Sequence, residues 1–128
     1  MFPASQPKAA DGVYNSVQDN RAQGKAGEAV TEATLRQQGT FAGKQVTFET
    51  STGQRTVVDF VTNVSGGNGV VETKTGGATL TPGQNQLFDD VQNGREVIPR
   101  GGNASKANLI PGVPITLQGC GIDRVCLP

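Results

Sequence analysis

Hydrophobic residues recur along the 128-residue chain with two spacings, the two-residue period of strands and the spacing of helices. Apolar or β-branched residues alternate with polar residues in three short stretches, which predicts β-strands at residues 45–50, 55–62 and 69–75. Turn-forming residues separate the stretches, at Ser51–Gln54 and at Asn63–Gly69. The pattern therefore predicts an antiparallel three-stranded meander.

Helical spacing predicts one helix before the meander and one after it. The first covers Asp19–Gln38, with Asp19 as N-cap and Gly39 at the C-terminal stop. The second ends near Asn93, before Gly94. A stripe of small residues on the first helix predicts close packing on the sheet. The members of this stripe are Ala22, Ala26, Ala29, Val30 and Ala33.

The start of the second helix contains a residue that could have two roles. Thr81 suits the N-cap, Pro82 suits the first helical position, and Gln84 three residues after the cap completes a capping box. Gln84 also continues the apolar stripe through Leu87 and Phe88 that faces the core. A capping role and a site role for Gln84 are weighted equally at this point.

The rest of the chain predicts two more strands and no further helix. Glu96–Pro99 is expected to lie beside the 69–75 strand and parallel to it, because a helix connects the two. Arg100–Gly112 is expected to be a loop, and Ile115–Leu117 a last short strand. The prediction is an α/β (α+β) domain over residues 19–128, with a mixed sheet flanked by helices and a linker at residues 1–18, irregular or with a short helix near residues 12–17.

Charged residues interrupt two of the predicted strands. Alternation places Val70, Glu72 and Lys74 on one face of their strand. On the preceding strand it places Val57, Asp59 and Val61 on one face, with Asp59 in the middle of an apolar run. A solvated Glu–Lys pair on an exposed edge is the simpler interpretation of Glu72 and Lys74 alone. A hairpin in a suitable register, however, would place Asp59 opposite Glu72. Two carboxylates that close repel each other unless a cation such as Mg²⁺ lies between them.

Composition excludes several classes of site. The chain has no histidine, which removes Ser-His-Asp triads, His-dependent nuclease mechanisms and His-ligated zinc. Eleven basic and eleven acidic residues give a net charge of zero, which argues against a dedicated tight nucleic-acid binder. Cys120 and Cys126 could form a small disulfide loop or remain free thiols. No apolar run is long enough to cross a membrane, so no membrane partner is expected.

The order of Asp59 followed by Glu72-Thr73-Lys74 resembles the PD-(D/E)XK, or restriction-endonuclease-like, nuclease superfamily. Gly27-Glu28 on the first helix and the Leu80-Thr81-Pro82-Gly83-Gln84 phrase are similar to two further family motifs. The family's Pro before the Asp is absent, since Val58 occupies that position. The resemblance implies a restriction-endonuclease-like core and an Mg²⁺-dependent endonuclease that hydrolyses phosphodiester bonds.

The resemblance also implies a role for each site residue. Asp59 and Glu72 would hold Mg²⁺, or Mn²⁺ in its place, with the backbone carbonyl of Thr73. Glu28 would complete the metal shell, directly or through water. It is preferred to Glu32 because it follows the glycine of the family motif, although a solvated helix glutamate is the alternative.

Two further side chains have implied roles at the reaction centre, and two basic residues lie outside it. Lys74 would orient or deprotonate the attacking water and neutralise developing charge. Gln84 would position the nucleophile or a phosphate oxygen. Arg100 and Lys106 could contact phosphates, or could belong to a solvated loop.

The polar start of the chain resembles a linker that precedes a C-terminal toxin domain of an interbacterial delivery system. That resemblance implies a non-specific nuclease with DNA ahead of RNA as substrate, delivered into the target-cell cytoplasm without its own signal peptide, and held inactive by a cognate immunity protein. Two alternatives remain open. One is a non-catalytic binding module with a structural carboxylate network or Ca²⁺ site, and the other is a housekeeping resolvase or repair nuclease of the same fold.

Overall fold

The computed structural model describes residues 17–125, which form an α+β fold with one mixed five-stranded sheet. Residues 1–16 of the predicted linker lie outside this range. Cys126, one of the two cysteines of the possible disulfide, also lies outside it. The elements in chain order are α1 Val17–Gln38, β1 Phe41–Glu49, β2 Arg55–Val64, β3 Gly67–Thr75, α2 Pro82–Gln92, β4 Ile98–Arg100, α3 Gly102–Lys106 and β5 Gly119–Val125. Within residues 17–125, no helix combines the length and hydropathy needed to cross a membrane.

The predicted meander is confirmed. β1 pairs antiparallel with β2, and β2 pairs antiparallel with β3. The β2–β3 turn is tighter than predicted, because the ladder already begins with Val64 opposite Gly67. Such a short turn sets the register of the whole hairpin, because each pair along the ladder follows from the pair at the turn.

The two outer strands do not lie where the sequence predicted. The sheet order is β4–β1–β2–β3–β5. β4 pairs antiparallel with β1, at the sheet edge opposite to the predicted place beside β3. The parallel neighbour of β3 is β5, a segment for which the sequence predicts no strand. The predicted strand at Ile115–Leu117 is reduced to one isolated bridge between Ile115 and Val97.

The face with which α1 packs also differs from the prediction. The predicted stripe of small residues is exposed, and the buried residues are Gly27, Thr31 and Leu35. Gly27 lies so close to the sheet that a Cβ atom there would be 2.7 Å from Cγ2 of Thr75. At this point the methyl groups of Thr73 and Thr75 on β3 pack against the helix backbone, which has no side chain at Gly27. The close contact between α1 and the sheet therefore depends on this glycine and not on the predicted stripe of small residues. The helix also begins at Val17, which places Asp19 inside the first turn and not at the N-cap.

Helix α2 agrees with the prediction at both ends. Thr81 is the N-cap, and its capping box with Gln84 has both reciprocal hydrogen bonds. α2 covers the sheet face opposite to α1, because Glu72 contacts α2 whereas the next residue, Thr73, contacts α1. The main hydrophobic core lies on the α2 side and combines Leu87, Phe88 and Val91 of that helix with residues of the sheet and of the segment around α3.

Candidate active site

Asp59 and Glu72 meet where the β2–β3 ladder ends. The last regular pair is Phe60 opposite Val71, so the next pair in this register would be Asp59 opposite Glu72. Instead of a ladder bond, the backbone N–H of Asp59 donates to Oε2 of Glu72 at 3.1 Å. The backbone N–H of Thr73 donates to Oδ2 of Asp59 at 2.8 Å. Each carboxylate thus accepts a hydrogen bond from the neighbouring strand.

The environment of Glu72 disfavours its charged form. Its side chain is fully buried. Burial, together with the negative charge of Asp59, raises the pKa of Glu72 from 4.5 to about 8. The two carboxyl groups are also close enough to share a hydrogen bond that favours protonated Glu72. Near neutral pH the pair therefore holds a proton in place of a second negative charge.

Lys74 and Gln84 complete a hydrogen-bonded chain that ends at Glu72. Gln84 donates from Nε2 to Oε1 of Glu72 at 2.9 Å. Its Oε1 accepts from Nζ of Lys74 and from the backbone N–H of Thr81, both at 3.0 Å. Gln84 therefore has its capping role and its site contact at the same time, where the sequence analysis had treated the two as alternatives. The amide orients Lys74 relative to the carboxyl pair.

The structure places Glu28, and not Glu32, near the carboxyl pair. Burial and the negative charge of Asp59 raise the pKa of Glu28. Its Oε1 accepts a hydrogen bond from Nε2 of Gln45 at 3.1 Å. Glu32 instead forms ion pairs with Arg36 and Lys44, and the hydrogen bond from Arg36 is the main cause that lowers the pKa of Glu32.

Three acidic side chains do not form one cluster. Across residues 17–125, no group of three His, Cys, Asp or Glu side chains is arranged to hold a metal ion. The direct pair is Asp59 with Glu72, and Glu28 lies further out. Any metal ligand set built on these side chains would therefore be two carboxylates, with Glu28 in an outer position. That Glu28 completes the shell directly or through water stays a prediction, and this geometry favours the water-mediated form.

The strand alternation breaks next to Asp59. Gln45 has a positive φ of 53°, which is uncommon for a residue other than glycine. It lies across from Asp59, because its neighbours pair as Lys44 with Phe60 and as Val46 with Val58.

The break changes which β2 residues share a face. Val58 and Val61 both belong to the core cluster on the α2 side, while Val57 is 45% exposed. The prediction that Val57, Asp59 and Val61 share one face was therefore wrong. The irregular backbone at Gln45 and Asp59 interrupts the two-residue period at this point.

A buried polar network behind the site was not predicted. Oγ1 of Thr73 donates to Oγ1 of Thr31 at 2.7 Å, and Thr31 donates to Oδ2 of Asp123 at 2.6 Å. The network ties β3 to α1 and β5 at the residue whose backbone N–H binds Asp59. Only the β5 pairing brings Asp123 here, since it lies opposite Thr73, and the sequence has no local signal for that pairing.

Arg100 and Lys106 lie away from the carboxyl pair. Both line a pocket between β1, β4 and α3 that also includes Gln45. Arg100 is paired with Glu49, with 3.0 Å between its Nη2 and Oε1 of the carboxylate. The predicted loop that contains Lys106 is partly helical, because Gly102–Lys106 forms α3.

Comparison of the chain with protein-family models, with curated proteins and with solved structures gives no match.

Proposed function

We propose that this protein is a metal-dependent nuclease that hydrolyses phosphodiester bonds. The observation that supports this function most is the pair of carboxyl groups, Asp59 and Glu72, at the end of a strand ladder with a lysine held beside them. A buried carboxyl pair costs free energy in the folded state, and a divalent cation would remove that cost.

The donor set fits Mg²⁺ better than Ca²⁺. Mg²⁺ is commonly bound through one or two carboxylates, with water and substrate phosphate as the remaining ligands, whereas Ca²⁺ takes six to eight oxygen ligands. Asp59 accepts the backbone N–H of Thr73 on Oδ2, so Oδ1 can turn to a cation once Glu72 has lost the proton that the two carboxyl groups share. Glu72 would provide a second oxygen after loss of its proton, and the backbone carbonyl of Thr73 a third.

Such an ion, when bound, would polarise a phosphoryl oxygen and lower the pKa of a bound water molecule. The chain itself would provide orientation and charge. Lys74 uses one of its three N–H donors on Gln84, which leaves the others for a phosphate oxygen or the attacking water. Glu28 would bind metal-associated water from the α1 side.

We further propose the restriction-endonuclease-like fold and the toxin role. The fold proposal is supported by the observed order of helix, antiparallel meander and helix, with Asp59 on β2 and the Glu72-Thr73-Lys74 motif on β3. The toxin role, with DNA as the preferred substrate and a cognate immunity protein as partner, is supported only by the likeness of the chain to toxin domains. Bacterial expression tests it, since growth arrest and DNA loss should occur with the natural chain and not with Asp59→Asn.

The nuclease proposal is tested by incubating the protein with plasmid DNA and, in parallel, with RNA, each with Mg²⁺ or EDTA. We expect cleavage in Mg²⁺ only. Asp59→Asn and Lys74→Met should each lower the cleavage rate about 100-fold or more. Glu32→Gln is the matched control, because it removes a carboxylate from the same helix as Glu28 but outside the site. Cleavage in EDTA, or natural rates for Asp59→Asn, would refute the proposal.

One observation favours a second candidate, a purely structural carboxyl pair without activity. Both oxygens of Glu72 and Oδ2 of Asp59 already accept hydrogen bonds within the fold. A structural pair predicts no cleavage under any condition. It also predicts that Glu72→Gln destabilises the protein at every pH.

A further inference from the structure

A polar pocket of about 260 Å³ lies between β1, β4 and α3. Its side chains include Gln45, Thr47, Arg100, Asn103 and Lys106, and no carboxylate lines it. Two of these five side chains are cations and none is an anion, although the chain as a whole has a net charge of zero. Because Arg100 is paired with Glu49, Lys106 carries the uncompensated positive charge of this lining, and that charge favours an anionic ligand.

Several hydrogen-bond donors in the pocket are free. Lys106 forms no ion pair with any residue of the range 17–125. Arg100 spends Nε and Nη2 on Oε1 of Glu49, at 3.2 and 3.0 Å, and its Nη1 makes no hydrogen bond within the same range. The hydroxyl group of Thr47 is likewise without a partner there. A phosphate group would accept hydrogen bonds from all three side chains.

Gln45 connects this pocket to the candidate active site. Its side chain donates to Glu28, its carbonyl accepts from Nδ2 of Asn103 at 2.9 Å, and it lies across the strand pair from Asp59. The residue keeps a positive φ of 53° in this place. Backbone strain of this kind is concentrated at functional positions.

We propose that this pocket is a second phosphate subsite, which holds the sugar–phosphate backbone of a nucleic acid beside the bond that is cut. The inference rests on the proposed nuclease function. A strand whose scissile phosphate lies at Asp59 and Glu72 would pass Gln45 and place a neighbouring phosphate against Lys106, Thr47 and Arg100.

Binding without cleavage tests the subsite separately from the reaction. A fluorescein-labelled single-stranded oligonucleotide is titrated with the protein in EDTA, and the association constant is followed by anisotropy over a range of KCl concentrations. Each phosphate contact contributes about 0.7 to the slope of log K against log salt for single strands. Lys106→Gln should therefore lower the slope by about 0.7, and Lys106→Arg should restore it.

Arg36→Gln is the charge-matched control. It removes one positive charge from an exposed side chain of α1 that does not line the pocket, and its slope should equal that of the natural chain. Thr47→Val should weaken binding with no change in slope, because it removes a neutral donor. The subsite is refuted if no binding is measured in EDTA, or if Lys106→Gln and Arg36→Gln give the same slope.

Cleavage assays on the same variants separate the two proposals. Lys106→Gln should raise KM in Mg²⁺ and leave kcat unchanged, since Lys106 does not reach the carboxyl pair. If the natural chain cuts nothing while Lys106→Gln still loses slope, the nuclease proposal fails and the anion subsite stands. If the natural chain cuts and the slope is unchanged, the subsite fails alone.

Discussion

The buried carboxyl group of Glu72 should make the protein less stable as the pH rises. Its pKa in the folded state is about 8, against 4.5 in the absence of the fold. Between these values the folded chain holds a proton that the unfolded chain has released, so the free energy of unfolding falls with increasing pH. The contribution of this one group has a slope of about 1.4 kcal/mol per pH unit. By pH 7 the cumulative loss is about 3 kcal/mol.

Glu72→Gln removes the ionisable group and keeps the shape of the side chain. The amide cannot accept both hydrogen bonds that Glu72 accepts from Gln84 and from the backbone of Asp59. The loss of one of them should cost about 1 kcal/mol. The variant should therefore be less stable than the natural chain by about 1 kcal/mol at pH 4, about equal to it near pH 5, and more stable by about 3 kcal/mol at pH 8.

Urea unfolding in EDTA at pH 4, 5, 6, 7 and 8 measures both curves, and we expect them to cross near pH 5. Glu32→Gln is the control, because Glu32 is a surface ion-pair residue and its loss should not flatten the pH dependence. Parallel curves for Glu72→Gln and the natural chain would refute the reasoning that Glu72 is held protonated by its surroundings. They would also favour the purely structural role of the pair.

Two further substitution pairs test local features of the fold and the site. Thr81→Ala and Gln84→Ala each remove a hydrogen bond of the capping box, and each should lower the free energy of unfolding by about 1 kcal/mol. Only Gln84→Ala should also lower the rate of DNA cleavage in Mg²⁺, because Gln84 holds Lys74. Gly27→Ala places a Cβ 2.7 Å from Cγ2 of Thr75 and should lower the free energy of unfolding by about 1–3 kcal/mol in a urea melt. Gly24→Ala meets nothing within 4 Å and should raise the free energy of unfolding by up to about 1 kcal/mol. Equal cleavage rates for Thr81→Ala and Gln84→Ala, or equal stabilities for Gly27→Ala and Gly24→Ala, would contradict the contacts described above.

The central part of the fold could be predicted because its signals are local. The meander follows from alternation and turn residues, and the tight turn before Gly67 sets the register that brings Asp59 to Glu72. The start of α2 follows from the capping phrase around Thr81. These features each depend on residues close in sequence, where propensity and turn chemistry act directly.

The outer strands could not be predicted because their pairing is long-range. β5 has two glycines, an aspartate and an arginine among its seven residues, so its composition does not indicate a strand. It forms because β3 has a free edge beside it, and its position then brings Asp123 to Thr31. β4 has only three residues, and its partner strand β1 lies about fifty residues earlier in the chain. No short-range signal in the sequence therefore indicates this pairing.

The site was predicted better for its strand residues than for its helix and loop residues. Glu72 and Lys74 could be placed by alternation, and Asp59 by the hairpin register. Glu28 was chosen by resemblance, and the structure puts it near Asp59 but bound to Gln45. Gln45 itself has no sequence signal, because its positive φ depends on contacts with Glu28 and with α3 that lie far along the chain.

The most direct test of the account is calorimetric titration of the protein with Mn²⁺ below pH 8, in two buffers with different ionisation enthalpies. Mn²⁺ prefers the same oxygen ligands as Mg²⁺. We predict one site per chain and the release of close to one proton per ion at pH 6.5, since the cation replaces the proton that Glu72 holds at a pKa of about 8. Asp59→Asn should abolish the site, and Glu32→Gln should leave it unchanged. Absence of binding by the natural chain, or equal binding by Asp59→Asn, would contradict the claim that these two carboxyl groups form a metal site.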